Sequence, residues 1–205
     1  MSDNKLILID VDGTILDWKN GFIQFMAIEG IVVKDDTKYK VHEWMQEAKG
    51  KEVDEAKGKF LIEYFNRSAW IRFLDPLRDS VEVIKALKAK GYTFIAITSL
   101  HKDKPAQELR RMNIDEVFGE GTISEIIFLP TGADKDEVLD RYKDSGAWWI
   151  EDKVENAIAG EDRGLKPIII EHEYTASQYT RGIPTAKYWS TVYKHITGER
   201  YVSNS

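Results

Sequence analysis

The chain is predicted to be an α/β protein: a mostly parallel sheet with helices on both faces and a small all-helical insertion after the first strand. Three observations predict it. A short apolar run, Leu6-Ile7-Leu8-Ile9, leads at once into Asp10, Asp12, Gly13 and Thr14; residues 17–74 show helical spacing and no clear strand; and from Pro76 onward strand-length apolar runs alternate with helical patterns.

The first run is too short for a helix and reads as a buried parallel strand. In the insertion, Phe22, Phe25, Met26 and Glu29, then Val41, Trp44, Met45 and Ala48, then Phe60, Leu61, Tyr64 and Phe65 recur at helical spacing, with breaks at Gly30, Asp35-Asp36 and Lys49-Gly50-Lys51. Seven lysines and seven acids between Lys34 and Lys59 make this a solvated mixed-charge surface. Beyond Pro76, Val81, Val83, Ile84 and Leu87 predict a helix stopping at Gly91, and residues 92–98 a strand. A polar helix near 104–113, an apolar run at 126–129, a helix at 134–144, a strand at 147–150, a helix at 153–163, a strand at 167–170 and a last helix at 186–197 complete the pattern. The core is thus assigned to residues 1–16 and 75–205, and the insertion to 17–74.

Composition narrows the chemistry. The 205 residues are 42% hydrophobic and 31% charged, as expected of a globular protein. No apolar stretch reaches the roughly 20 residues that span a bilayer, and Met1-Ser2-Asp3-Asn4-Lys5 does not resemble a secretory signal, so the cytoplasm is the expected location and no membrane partner is expected. Absence of cysteine excludes disulfides, thiolate metal sites and a cysteine nucleophile. His42, His101, His172 and His195 form no His-x-x-x-His pair, so an oxygen-rich, magnesium-type metal site is favoured over zinc. A net charge of −6 argues against broad nucleic-acid binding, while leaving room for a small phosphorylated substrate. A homodimer is compatible with this composition, which fixes no oligomeric state.

The candidate site gathers at the carboxyl ends of the strands, where open α/β sheets bind ligands. Asp10 and Asp12 end the first strand, and side-chain alternation turns both toward one small volume, where two anions need a cation or a shared proton. Thr98-Ser99 end a second strand, Glu151-Asp152 a third, and Lys135 opens the helix before it. Each has a plainer explanation alone: Asp-x-Asp-Gly as a turn, Lys135 as a solvated helix-start lysine, Glu151-Asp152 as acids favoured by a helix dipole, Thr98 as strand filler. Together they would have to coincide in register.

Asp10-Val11-Asp12-Gly13-Thr14, Thr98, Lys135 and Glu151-Asp152 resemble, in order and setting, the four-motif signature of the haloacid dehalogenase superfamily. The resemblance covers the whole Rossmann-like core, with the insertion placed like a helical cap. It implies a phosphatase with Mg²⁺ as cofactor and an aspartyl-phosphate intermediate: Asp10 as nucleophile; Asp12 as acid and base; Asp10, Asp152 and the Asp12 backbone carbonyl as metal ligands, with Glu151 direct or through water; and Thr98 or Ser99, Gly13 and Lys135 on the phosphate.

For the substrate, Ile97-Thr98-Ser99 and the tail, Glu171-His172-Glu173-Tyr174, Arg181-Gly182-Ile183 and Trp189, are loosely similar to the 5′-deoxyribonucleotidase branch, which implies a nucleoside monophosphate. The Glu-Asp pair at 151–152 looks more like sugar-phosphate phosphatases and phosphomutases, so a phosphatase of a sugar phosphate or a polynucleotide end, or a phosphomutase, is the alternative, and a catalytically idle binding module the reading from another class. Aromatic residues crowd the insertion, where they serve either base stacking or packing; Phe22 and Trp44 are the candidates to face the site.

Overall fold

The computed structural model describes residues 4–38 and 40–202. In chain order the elements are β1 (Leu6–Ile9), α1 (Trp18–Ile28), β2 (Ile31–Val33), β3 (Met45–Glu47), α2 (Glu55–Arg67), α3 (Ser80–Ala89), β4 (Thr93–Ser99), α4 (Lys104–Phe118), β5 (Ile123–Leu129), α5 (Asp136–Asp140), β6 (Trp148–Glu151), α6 (Val154–Glu161), β7 (Lys166–Ile170), β8 (Thr185–Ala186) and α7 (Trp189–Thr197). Short 3₁₀ turns span Val41–Trp44 and Ala69–Phe73.

Six strands form one sheet in the order β5-β4-β1-β6-β7-β8, and every neighbouring pair is parallel. This is the expected Rossmann-like architecture. Both faces are covered, as the apolar runs require: Ile7 and Ile9 of β1 enter the main core, while Leu8 between them enters a second cluster with Ile97, Leu139 and Trp149. With β1 flanked by β4 and β6, the strand ends carrying Asp10, Thr98 and Glu151 are neighbours.

The insertion departs from the all-helical expectation. Ile31–Val33 and Met45–Glu47 pair antiparallel, with Val33 opposite Met45, and only a 3₁₀ turn precedes the second strand. The pattern at 41–48 covers two helical turns, too short to separate the periods, whereas Ile31-Val32-Val33 is a β-branched run suited to a strand. Gly30, at φ +70°, makes the reversal from α1 into β2. α1 starts where the Asp17 carboxylate accepts from Asn20 N–H at 3.1 Å. Phe22, Phe25 and Met26 then pack against Leu61, Phe65 and Ile71. The two crossings between core and insertion are tied by Asp17 N–H to the Asp75 carbonyl, 2.8 Å.

Two ends also differ. β8 falls partly in the region expected for the last helix, which starts at Trp189; a two-residue edge strand gives almost no periodic signal. The start of α7 is held by Asp79, whose two carboxylate oxygens accept from Trp189 and Ser190 N–H at 2.7 and 2.9 Å. Among the described residues no helix is long and apolar enough to cross a membrane.

Candidate active site

β1 ends at Ile9, and Asp10 continues its ladder with one bond, N–H to the Ile150 carbonyl at 2.9 Å. The turn that follows is held from both sides: Gly13 N–H donates to the Leu16 carbonyl at 2.9 Å, and the indole N–H of Trp189 donates to the Thr14 carbonyl at 2.8 Å. Gly13 is obligatory here for two reasons. Its φ is +80°, and a Cβ would stand 2.8 Å from Asp152 Oδ2.

Carboxylate oxygens of Asp10, Glu151 and Asp152, all buried, lie within 4.8 Å of one another. Lys135, 3% exposed, enters this cluster from the residue before α5, pairing with Asp10 and, at 2.7 Å, with Glu151. Glu151 is fully committed: Oε1 accepts from Asp152 N–H at 3.0 Å and Lys153 N–H at 3.1 Å, and Oε2 from Asn156 Nδ2 at 3.2 Å besides Lys135. Asp152 is committed on one side only. Its Oδ2 accepts from the Tyr174 hydroxyl, whereas Oδ1 is buried and has no partner.

Electrostatics follow from burial. Desolvation pushes Asp10 up to about 7 against the pull of Lys135, and Glu151 likewise to about 7; Asp152 is also raised, by burial and then by Asp10. Burial works to lower Lys135, yet Asp10 and Glu151 hold it above the ordinary lysine value, so it stays a cation. Three buried acids against one ammonium leave excess negative charge when ionised, and Asp152 Oδ1 has no hydrogen-bond partner. An oxygen-seeking divalent cation fits this donor set.

The two aspartates that alternation placed together take different partners. Both line one cavity and the Asp12 charge still acts on Asp10, but the Asp12 carboxylate lies outside the three-acid group and pairs with Arg110 of α4 at 2.5 Å. Thr98 is wholly buried, with its hydroxyl unpartnered, while the Ser99 hydroxyl donates to the Ala133 carbonyl at 3.0 Å; it is Ser99 that lines the cavity over the cluster. That cavity, about 670 Å³, runs from Asp10, Asp12, Gly13, Lys135 and Asp152 to Trp18, Val41, Trp44, Ile62 and Asn66 of the insertion.

Of the two aromatic residues expected to face the site, Trp44 lines the cavity and Phe22 does not. Phe22 stacks under Trp18, centroids 4.7 Å apart, and meets Phe65 edge-on. Four residues apart, Trp18 and Phe22 share one helix face, and the residue nearer the helix start reaches the opening. Sequence reasoning also missed Arg110, His172 and Tyr174 as site residues. The last two follow the apolar run of β7, so their place at a strand's carboxyl end was a usable signal; Arg110 sits in a polar helix and offered none.

Comparison with known proteins agrees with this layout. A sequence model of the haloacid dehalogenase-like hydrolases matches residues 4–164. An uncharacterized 32.4 kDa protein of Enterobacteria phage T4, from the Gp30-rIII intergenic region, is 32% identical over 139 residues; that match covers 67% of this chain and 49% of the phage protein, so the chain spans about half the length of this curated relative. Among solved structures, a predicted phosphatase from Clostridium acetobutylicum superposes with a TM-score of 0.66 at 15% identity, covering 95% of this chain and 98% of that one. YfnB of Bacillus subtilis, a HAD-type protein bound to magnesium, gives 0.60 at 12% identity, over 94% and 98%. A variant of CbbY from Rhodobacter sphaeroides, in complex with xylulose-(1,5)bisphosphate, gives 0.59 at 17%, over 90% and 94%. At these identities the solved structures speak for the fold, and the sequence match speaks for the lineage: the chain belongs to the haloacid dehalogenase-like hydrolases.

Proposed function

We propose that the chain is a magnesium-dependent phosphomonoesterase. The observation that carries this reading is the buried Asp10, Glu151 and Asp152 cluster with Lys135 inside it, at the floor of the cavity. Asp10 and Asp152 would hold the cation with the Asp12 carbonyl, and Glu151, saturated by its own hydrogen bonds, would steady Lys135 and the start of α6. When bound, magnesium supplies charge stabilisation for the phosphoryl oxygens. Asp10 attacks phosphorus through a carboxylate oxygen; the phosphorus–oxygen bond to the alcohol breaks, and Asp12 delivers the proton to the departing oxygen. Asp12 then takes a proton from water as the phosphoaspartate is hydrolysed. Lys135, Ser99 or Thr98, and the loop around Gly13 receive the phosphoryl group. Phosphate monoesters are among the slowest reactions in water, with enhancements up to about 10²¹-fold, so positioning and fixed charge must supply most of the rate.

Residues 17–74 would form the cap over a core of 1–16 and 75–205, and the cap wall would select the substrate. A nucleoside monophosphate is the first reading. The cavity falls within the roughly 300–1,000 Å³ of small-molecule sites, and Trp18, Val41 and Ile62 give its far wall an apolar surface. A sugar phosphate is the second, supported by Glu151 in the acid pair and by the complex of CbbY with a sugar bisphosphate. Phosphate release with magnesium from nucleotides, sugar phosphates and an aryl phosphate tests both. No release from any of them refutes the enzyme reading, and a kcat/KM more than about tenfold higher for sugar phosphates, about 1.4 kcal/mol, refutes the nucleotide.

A further inference from the structure

The segment after β7 completes the acidic cluster from a side that the four motifs do not cover. His172 and Tyr174 stack, with ring centroids 5.0 Å apart and planes 9° from parallel. Each ring then holds a different loop. His172 Nε2 lies 2.6 Å from the Gly13 carbonyl oxygen, which can only accept, so the ring donates Nε2–H to it. Tyr174 donates its hydroxyl to Asp152 Oδ2. Because a Gly13 Cβ would stand 2.8 Å from Asp152 Oδ2 and 3.4 Å from His172 Nε2, the loops after β1, β6 and β7 meet here without slack.

A carboxylate with one oxygen anchored has its other oxygen aimed. Asp152 Oδ1, buried and unpartnered, is that other oxygen. From this geometry we infer that Tyr174 is a positioning residue for the cation: its hydroxyl fixes the Asp152 carboxylate so that Oδ1 faces the metal, and the stacked His172 keeps the phenol in place. The inference rests on the magnesium reading above. Partners that orient a metal ligand typically contribute about 10- to 100-fold in metal affinity.

Magnesium titration of metal-free protein, by calorimetry and by thermal shift, tests this in wild type and Tyr174→Phe. The variant is expected to need about 10- to 100-fold more magnesium for half-saturation, and to return to within a few-fold of the wild-type rate on an aryl phosphate once saturated. Tyr174→Met, which also lacks the hydroxyl, is expected to show the same loss and substitutes if the phenylalanine variant does not fold. A lower melting point with an unmoved magnesium midpoint would show a purely packing role and overturn the inference. Wild-type protein that ignores magnesium would instead overturn the metal reading, so the two failures are separable.

Discussion

Arg110 Nη1 donates to Asp12 Oδ1 at 2.5 Å, joining the middle of α4 to the proposed acid and base across 98 positions of sequence. The two partners are unequal: Arg110 is 0% exposed and Asp12 is 20% exposed. Removing either therefore has a different consequence. Asp12→Asn leaves a buried guanidinium without its counter-ion, which costs about 3–5 kcal/mol when a buried pair is broken. Arg110→Met removes a charge whose Nε and Nη2 have no partner and leaves an aspartate that can turn toward water, so its stability change is expected within about 1.5 kcal/mol. Denaturant unfolding of both variants checks the order. Equal losses would mean that the pair is not the source of the asymmetry. In activity, Arg110→Met is expected to slow alkyl phosphates more than an aryl phosphate, because the better leaving group depends less on a correctly placed acid.

Asp10→Asn is expected to reduce phosphate release to background. Removing a nucleophile that acts with a set of other groups costs on the order of 10⁶-fold. Retention of even a few per cent of activity would take the covalent step away from this side chain. The protein itself should not suffer. At pH 8 the substitution deletes one of three crowded buried acids, while Lys135 keeps Glu151 at 2.7 Å, so the metal-free variant is expected to melt no lower than wild type.

Much of this site was legible because its parts are local strings at strand ends. Asp10, Lys135, Glu151 and Asp152 each sit where an apolar run stops or a helix begins, and a parallel sheet collects such ends on one edge whatever their separation. Asp12 was legible as a residue of the same cavity, but its ion pair was not. That pair depends on Arg110, which periodicity does not encode. The insertion was harder. Its apolar residues are spread over short elements that are stable only against each other, so helix, 3₁₀ turn and two-stranded ribbon left nearly the same pattern at 41–48. Phe22 and Trp18 show the same limit, since the helix face they share is evident and the depth of each along it is set by α2.

Gly13→Ala concentrates two penalties in one methyl group. The backbone stands at φ +80°, and the new carbon would press on Asp152 Oδ2, the oxygen that Tyr174 already holds. The strain of a non-glycine residue in that region is about 1–3 kcal/mol, and relief requires the Asp152 carboxylate to shift out of its place in the cluster. Magnesium binding is therefore expected to weaken together with stability. A variant with wild-type magnesium affinity would show that Asp152 has room the geometry denies it.

Without metal, the acidic cluster makes stability depend on pH in a stated direction. Burial raises Asp10 and Glu151 to about 7 from ordinary values of 3.8 and 4.5, and raises Asp152 as well. Between those ordinary values and about 7 the folded chain binds more protons than the unfolded chain, so these groups make stability fall as pH rises through the window and level off above it. His172 has the opposite sign: its pKa is lowered, so its contribution is complete above 6.5 and is lost as pH falls through the folded value. Lys135 is raised above 10.5 and contributes a constant below that pH. The share of Asp10 is isolated by subtracting Asp10→Asn from wild type in melts between pH 5 and 8, where the difference is expected to move in favour of the variant up to about pH 7 and then level off. Saturating magnesium should reverse the trend in wild type, because it binds the ionised carboxylates. Its stabilisation, about 2.7 kcal/mol at 100 times the dissociation constant, is expected to be larger at pH 8 than at pH 5.5. A difference between the two proteins that stays flat across this range would mean that Asp10 is already ionised at pH 5, and that Lys135 alone balances the cluster.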